Sequence, residues 1–255
     1  MKAAVLVAAF GCLYPTQALA ASTDVNKPVM SGQVTISAAS SLTDAFIALG
    51  KEFRKLHKDL KVRFNFGSSS TLVAQIQSGA PSDILAAADL ISIEKLVAMG
   101  NVVVMPRVFA RNTMMIAVKP GNPMSVKSVQ DLTNLDVVSL CGKTVPCGVY
   151  SASVLARSGV VLSESKVTRG VDAKSALGAV ISGDADAALI YRTDVLAAKK
   201  TVTGVAIPRS INVVAMYGIV PIRGAHNLDA AKAFIDFVLS EQGWKILKSF
   251  GFEHP

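Results

Sequence analysis

The sequence predicts an α/β protein with largely parallel sheets. Strand-like and helix-like runs alternate along most of its 255 residues, the pattern of a chain that lays helices over parallel strands. A junction also recurs, in which a strand-like run ends in small polar residues that open a helix. It appears as VTISAASSLTDAFIAL from Val34, with Ser40, Ser41, Thr43 and Asp44 at the turn. It appears again as VRFNFGSSSTLVAQI from Val62, with Ser68, Ser69, Ser70 and Thr71. The first N–H groups of a helix have no intrahelical partner, and the helix dipole there favours negative charge. Several such starts facing one cleft would bind an anion without a cationic side chain.

Farther along, Asp83 to Ala87 reads as a short buried strand and Leu90 to Met99 as a helix stopped by Gly100. Thr113 to Val118 is an apolar strand closed by Pro120, Gly121 and Pro123. A helix over Val126 to Leu132 is expected after Ser125, a residue suited to an N-cap. Val137 to Leu140 reads as strand, then CGKTVPCG leads into a helix over Val149 to Arg157. A short strand follows at Lys166 to Gly170. Asp172 opens a helix that Gly183 ends, and Ala187 to Ile190 is a buried strand that delivers Tyr191. Asp194 to Ala198 is helical, Gly204 to Ile207 extended, and Val213 to Val220 a further apolar run. Two helices, Asp229 to Leu239 and Glu241 to Phe250, complete the pattern. The runs Thr113 to Val118 and Val213 to Ile222 are candidates to cross between two lobes. They would divide the chain into residues 31–112 plus 219–255 and an inserted lobe of 113–218, with a ligand cleft between.

The first twenty residues read as an export signal. Lys2 supplies the positive end, Ala3 to Phe10 a short apolar core, and Ala18-Leu19-Ala20 a small-x-small cleavage site. Cys12 as a lipoprotein cysteine is the rival reading, but Ala9-Phe10-Gly11 lacks the leucine such a site wants three positions earlier. Cleavage near Ala20 leaves Cys141 and Cys147, an even count that permits a disulfide in an exported chain and is equally met by two thiols. Two cysteines with no histidine nearby supply too few ligands for a metal. The net charge of +8 helps attract anions or an acidic membrane surface at long range, and a solubilising surface is its plainest reading. Scattered basic residues and only 6% aromatics argue against nucleic acid.

Five stretches resemble the periplasmic molybdate-binding proteins of ABC importers, the ModA family: AASSLTDAF at 38–46, SSSTLVAQIQSGAPSDILAAAD at 68–89, VPCGVYS at 145–151, VDAKSAL at 171–177 and ADAALIYRTD at 185–194. The resemblance implies a two-lobed type II periplasmic binding protein fold, with two crossover strands and the ligand in the interlobe cleft. It carries the ligand contacts onto Ser41, Ser69, Cys147, Ala173 and Tyr191. Cys147 and Ala173 would contribute through backbone N–H. The family usually has a small residue where Cys147 stands and often valine where Ala173 stands. The implied protein is a periplasmic monomer without cofactor that hands molybdate or tungstate to a membrane permease.

The residues agree with that assignment. Ser41, Ser69, Cys147 and Ala173 each lie at the opening of a helix-like run, and Tyr191 ends a buried strand with a hydroxyl to offer. Read alone, Ser41 and Ser69 are better explained as N-caps, and Asp44, Asp83 and Asp172 as capping or structural acids. A receptor for another tetrahedral oxyanion such as sulfate is the nearer alternative. A serine hydrolase is remote, because His57, His226 and His254 follow no catalytic motif and are expected on the surface, and G-x-S-x-G is absent. Gly142-Lys143-Thr144 lacks the preceding glycine of a phosphate loop.

Overall fold

The computed structural model describes residues 30–255. The expected export signal and Cys12 lie outside them. The chain begins with β1 (Gly32–Ala39), a single 3-10 turn (Ser40–Leu42), α1 (Thr43–Leu56), β2 (Leu60–Gly67), α2 (Ser69–Gln77), β3 (Ile84–Ala87) and α3 (Leu90–Ala98). β1 lies between its two parallel partners, with Gly32 opposite Leu60 on β2 and Ile36 opposite Ile84 on β3. α1 forms because its apolar residues recur at helical spacing. Ala45, Phe46, Leu49 and Phe53 are buried, Asp44 occupies the first turn, and Arg54 and Lys55 the last, the arrangement the helix dipole favours. The Phe46 ring packs against Phe109 and Phe234 at 5.8 and 6.0 Å, anchoring the helix in the core.

The remaining elements are β4 (Arg107–Val118), β5 (Val138–Cys141), α4 (Pro146–Arg157), β6 (Val167–Gly170), α5 (Ala173–Ser182), β7 (Ala187–Tyr191), α6 (Arg192–Ala197), β8 (Thr203–Ala206), β9 (Val214–Pro221), α7 (Leu228–Leu239) and α8 (Glu241–Ser249). β4 joins the two halves of the molecule. From Arg107 to Thr113 it pairs with β9, which in turn pairs antiparallel with β3. From Met114 to Val118 it lies between β7 and β8 instead. The first sheet therefore runs β2-β1-β3-β9-β4 and the second β6-β5-β7-β4-β8. β4 crosses from the first sheet to the second, the chain returns to the first through β9, and the expectation of a two-lobed α/β fold holds.

Three expectations need correction. No helix covers Val126 to Leu132; a short 3-10 helix at Gln130–Asn134 stands there. Ser125 has φ 53°, outside the extended range of an N-cap. The backbone is instead held by side chains: Asn122 bonds both N–H and C=O of Val126, and Asp131 accepts from the N–H groups of Lys127 and Ser128. α4 starts at Pro146 rather than Val149, since proline at the first helical position loses no bond. His57 is buried, its ring 4.6 Å from that of Phe53 at the C-terminal end of α1, whereas His226 and His254 are exposed as expected.

The strand directions fix the location of the site. β1, β2 and β3 are mutually parallel, and so are β5, β6 and β7. In each sheet the three carboxyl ends open into helix starts, the place where open α/β sheets bind ligands.

Candidate functional site

The carboxyl ends of the two strand sets converge on one small cleft. It is lined by Ala39, Ser40 and Ser41, by Gly67, Ser68, Ser69 and Ala88, and from the other half by Pro146, Cys147, Asp172, Ala173 and Tyr191. Solvent mouth included, it encloses about 190 Å³. Within it the room for the centre of a water-sized sphere is only about 10 Å³, so the cleft is on the scale of a small ion and not of a drug-sized molecule. All five residues expected from sequence lie on its wall.

Each wall residue is held by its own local structure. Ser69 opens α2, and Ser68 serves as the N-cap, its side chain accepting from the Thr71 N–H. The Ser69 hydroxyl oxygen accepts from the Ala88 N–H at 2.9 Å. With that lone pair engaged, its proton is available to the cleft. Ser41 sits in the 3-10 turn before α1, its hydroxyl 2.8 Å from that of Tyr217 on β9. Both serines are buried, at 7% and 1% exposure for Ser41 and Ser69. Neither acts as an N-cap, so the structural explanation available from sequence does not account for them.

From the second half, α4 presents Cys147. Pro146 has no N–H, so Cys147 is the first residue of that helix with a donor to offer. A disulfide joins Cys147 to Cys141 at the end of β5, with Cα atoms 5.8 Å apart, and ties the helix start to the strand. Ala173 opens α5. The N-cap Asp172 and Ser175 bond each other's backbone N–H, a capping box that engages the Ser175 N–H and not that of Ala173. The Asp172 carboxylate, the one charged side chain on the wall, is thus directed to its own helix. Tyr191 ends β7 with its hydroxyl buried and without a hydrogen-bond partner. Burial holds that hydroxyl well above its ordinary pKa, with Tyr217 and Tyr150 adding to the effect, so it remains a donor.

The wall therefore offers hydroxyl and backbone donors and no cationic side chain. An unsatisfied buried hydroxyl costs about 1–3 kcal/mol, a cost that a ligand oxygen accepting from Tyr191 would remove. Among the described residues no group of three or more His, Cys, Asp or Glu side chains is gathered for a metal ion. No histidine lines the cleft.

A family model described as bacterial extracellular solute-binding protein matches residues 34–253. The molybdate-binding protein ModA of Mycobacterium bovis is 34% identical over 224 residues, covering 87% of this chain and 85% of that protein. The chain belongs to the ModA family of bacterial extracellular solute-binding proteins. Among solved structures, the periplasmic molybdate-binding protein of Azotobacter vinelandii has a TM-score of 0.80 at 19% identity, covering 87% of this chain and 99% of that one. The sulfate-binding protein SubI of Mycobacterium tuberculosis has a TM-score of 0.77 at 18% identity, covering 87% and 86%. A fold shared by receptors for different anions does not choose the anion, so for this ModA-family chain that choice rests on the donors lining its cleft.

Residues that sequence reasoning missed lie behind and beside the cleft walls. Tyr217 lay hidden in the apolar run of β9, and Asn112 in a segment not read as strand. Lys174, on the first turn of α5, reaches across to Asp44 on α1 at 2.6 Å, bridging the two halves beside the cleft mouth. Its ammonium also lies 3.7 Å from Asp194, an ion-pair distance too long for a hydrogen bond. Burial pushes the Asp194 carboxyl up to about 7, while Lys174 pulls it down and Asp44 and Asp172 push it further up. In the unfolded chain the group titrates near 3.8. Between these values the folded protein holds a proton the unfolded chain lacks, so this group's contribution to stability falls as pH rises from about 3.8 to about 7 and levels off above that. The variant Asp194→Asn should match wild-type stability at about pH 4 and exceed it by on the order of 2–4 kcal/mol at pH 8. Urea unfolding across that range checks this; a constant offset at every pH would contradict it.

Proposed function

We propose that this solute-binding protein captures molybdate, and tungstate as a near-equal, in the cleft and delivers it to the permease of an ABC importer. The observation that carries the reading is the buried, unpartnered Tyr191 hydroxyl on a wall of donors. A fully ionised tetrahedral dianion accepts hydrogen bonds and donates none, so the hydroxyls of Ser41, Ser69 and Tyr191 and the N–H groups of Cys147 and Ala173 suit it. Hydrogen phosphate would need an acceptor for its proton. Neutral dipoles also avoid a buried cation that would be costly in the empty site. The molybdenum is cargo, reached only through its oxygens.

Function follows from closure, with no catalytic turnover. Ligand bridging both halves favours the closed form over the open one by its differential affinity for the two, and the closed form is what the permease receives. The relatives' molybdate-binding names and the extracellular family support an exported, periplasmic protein. One chain carries the complete donor set, so a monomer suffices.

Thermal unfolding of ligand-stripped mature protein with molybdate, tungstate, sulfate or phosphate tests this. A ligand at 100 times its Kd adds about 2.7 kcal/mol, a shift of roughly 5–10 °C for a chain this size. Molybdate and tungstate alone should produce it. Equal stabilisation by sulfate would make the protein a broader oxyanion receptor, and no response to any anion would overturn the reading.

A further inference from the structure

Behind Ser41 lies a buried chain of polar groups that does not touch the cleft. Asn112 stands on β4 next to the point where that strand leaves the first sheet for the second. Its side-chain oxygen accepts from the Thr113 N–H at 2.9 Å, which fixes the orientation of the amide. The amide nitrogen must then face the other way, and it donates to the Thr193 hydroxyl at 2.8 Å and the Tyr217 hydroxyl at 3.2 Å. Tyr217 is fully buried, with Asn112, Thr193 and Ser41 nearly so.

The Tyr217–Ser41 contact at 2.8 Å can run in either direction. The surroundings choose one. Because the Tyr217 oxygen already receives the Asn112 amide, its single proton needs an acceptor, and the Ser41 oxygen is the hydrogen-bonding group in reach. Were Ser41 the donor, the phenol would accept twice and bury its own proton unpaired, the more expensive arrangement. The phenol also keeps its proton: burial holds its pKa far above the ordinary value, Asp194 and Tyr150 push it further up, and the bonds with Ser41 and Asn112 offset only part of this.

We infer that Asn112 and Tyr217 are positioning residues that set the polarity of Ser41, occupying its acceptor side so that its proton can point only into the cleft. The inference rests on the reading of the cleft as an oxyanion site and deepens it by naming what fixes the selectivity. Ser69 is set the same way by the Ala88 N–H. With both serines held as donors, neither hydroxyl is free to turn its proton away from the ligand. An anion that carries a proton, such as hydrogen phosphate or hydrogen arsenate, then meets a donor at each of these two positions rather than an acceptor. Without Tyr217 the Ser41 hydroxyl regains its rotation, and that discrimination weakens.

The test is a double-mutant cycle on ligand-stripped protein, titrated calorimetrically with molybdate and, by competition, with phosphate at pH 8. Tyr217→Phe should lower molybdate affinity about 5–20-fold and narrow the ratio of molybdate to phosphate affinity. In a Ser41→Ala background the same change should alter molybdate affinity less than about twofold, because the hydroxyl it orients is gone. Equal losses in both backgrounds, or no loss in either, would overturn the relay. Neutron diffraction of deuterated wild-type protein needs no variant. The deuteron between the two oxygens should be bonded to Tyr217, and finding it bonded to Ser41 would overturn the inference equally. Failure of the wild-type protein to bind molybdate would instead sink the functional reading, and the neutron result would still decide the direction of the bond.

Discussion

Replacing Ser69 with alanine should weaken molybdate binding by about 1.5–3 kcal/mol, the range for a hydrogen bond to a charged group. It should also destabilise the empty protein. The Ser69 oxygen is the acceptor for the Ala88 N–H in a position buried at 2% exposure. Losing it leaves that donor unpaired, at about 1–3 kcal/mol. Calorimetric titration measures the first effect and denaturant unfolding the second. Ser70→Ala, one residue along α2, should leave molybdate affinity within about twofold, as expected of a position off the cleft wall. Wild-type affinity in Ser69→Ala would remove the hydroxyl from the ligand set.

Gly148→Ala should be the most damaging single change near the site. A Cβ at this position would lie 1.9 Å from the Gly142 carbonyl oxygen and 2.8 Å from its carbon. Both are backbone atoms of the turn after β5, and the Cys141–Cys147 disulfide ties that turn to the helix carrying Gly148. Neither side can retreat alone. Overpacking of this kind costs typically 1–3 kcal/mol and more where backbone must move. About 3 kcal/mol corresponds to a Tm lowered by roughly 6–12 °C. Because the displaced first turn of α4 carries Cys147, molybdate affinity should fall as well, by tenfold or more at about 1.4 kcal/mol per decade. Gly178→Ala on α5 is the contrast. Open space surrounds that position, and alanine in a helix interior should add about 0.5–1 kcal/mol. Equal Tm values for Gly148→Ala and wild type would show that the turn is looser than its contacts imply.

The helix starts were legible in sequence because their chemistry is local. Serine clusters after strand-like runs and an aspartate before α5 each announce a helix end from a few neighbouring residues, whereas the start of α4 expected from sequence falls three residues late because the proline at its first position reads as part of the turn. The alternation of elements likewise follows from periodicity within short windows. The first half of β4 was not legible, because Arg107, Arg111 and Asn112 break the apolar pattern; the burial of Asn112 is bought by side-chain partners as distant in sequence as Thr193 and Tyr217. The segment from Asn122 to Asp131 misled for a related reason. Its apolar residues suggest a helix, but Asn122 and Asp131 take the backbone groups a helix would need. His57 sits in a run of charged residues that suggests a surface position, although it falls one helical turn after Phe53, on the face that α1 buries. The bridge from Lys174 to Asp44 spans 130 residues, and no local pattern encodes it.

The account stands or falls on where the anion sits. A crystal structure of the protein grown with molybdate, with anomalous data collected at the molybdenum absorption edge, locates it directly. The predicted result is one strong peak in the cleft. Its oxygens should lie at hydrogen-bonding distance, about 2.7–3.2 Å, from the hydroxyls of Ser41, Ser69 and Tyr191 and the backbone nitrogens of Cys147 and Ala173. A peak elsewhere, or an empty cleft at saturating molybdate, would contradict it.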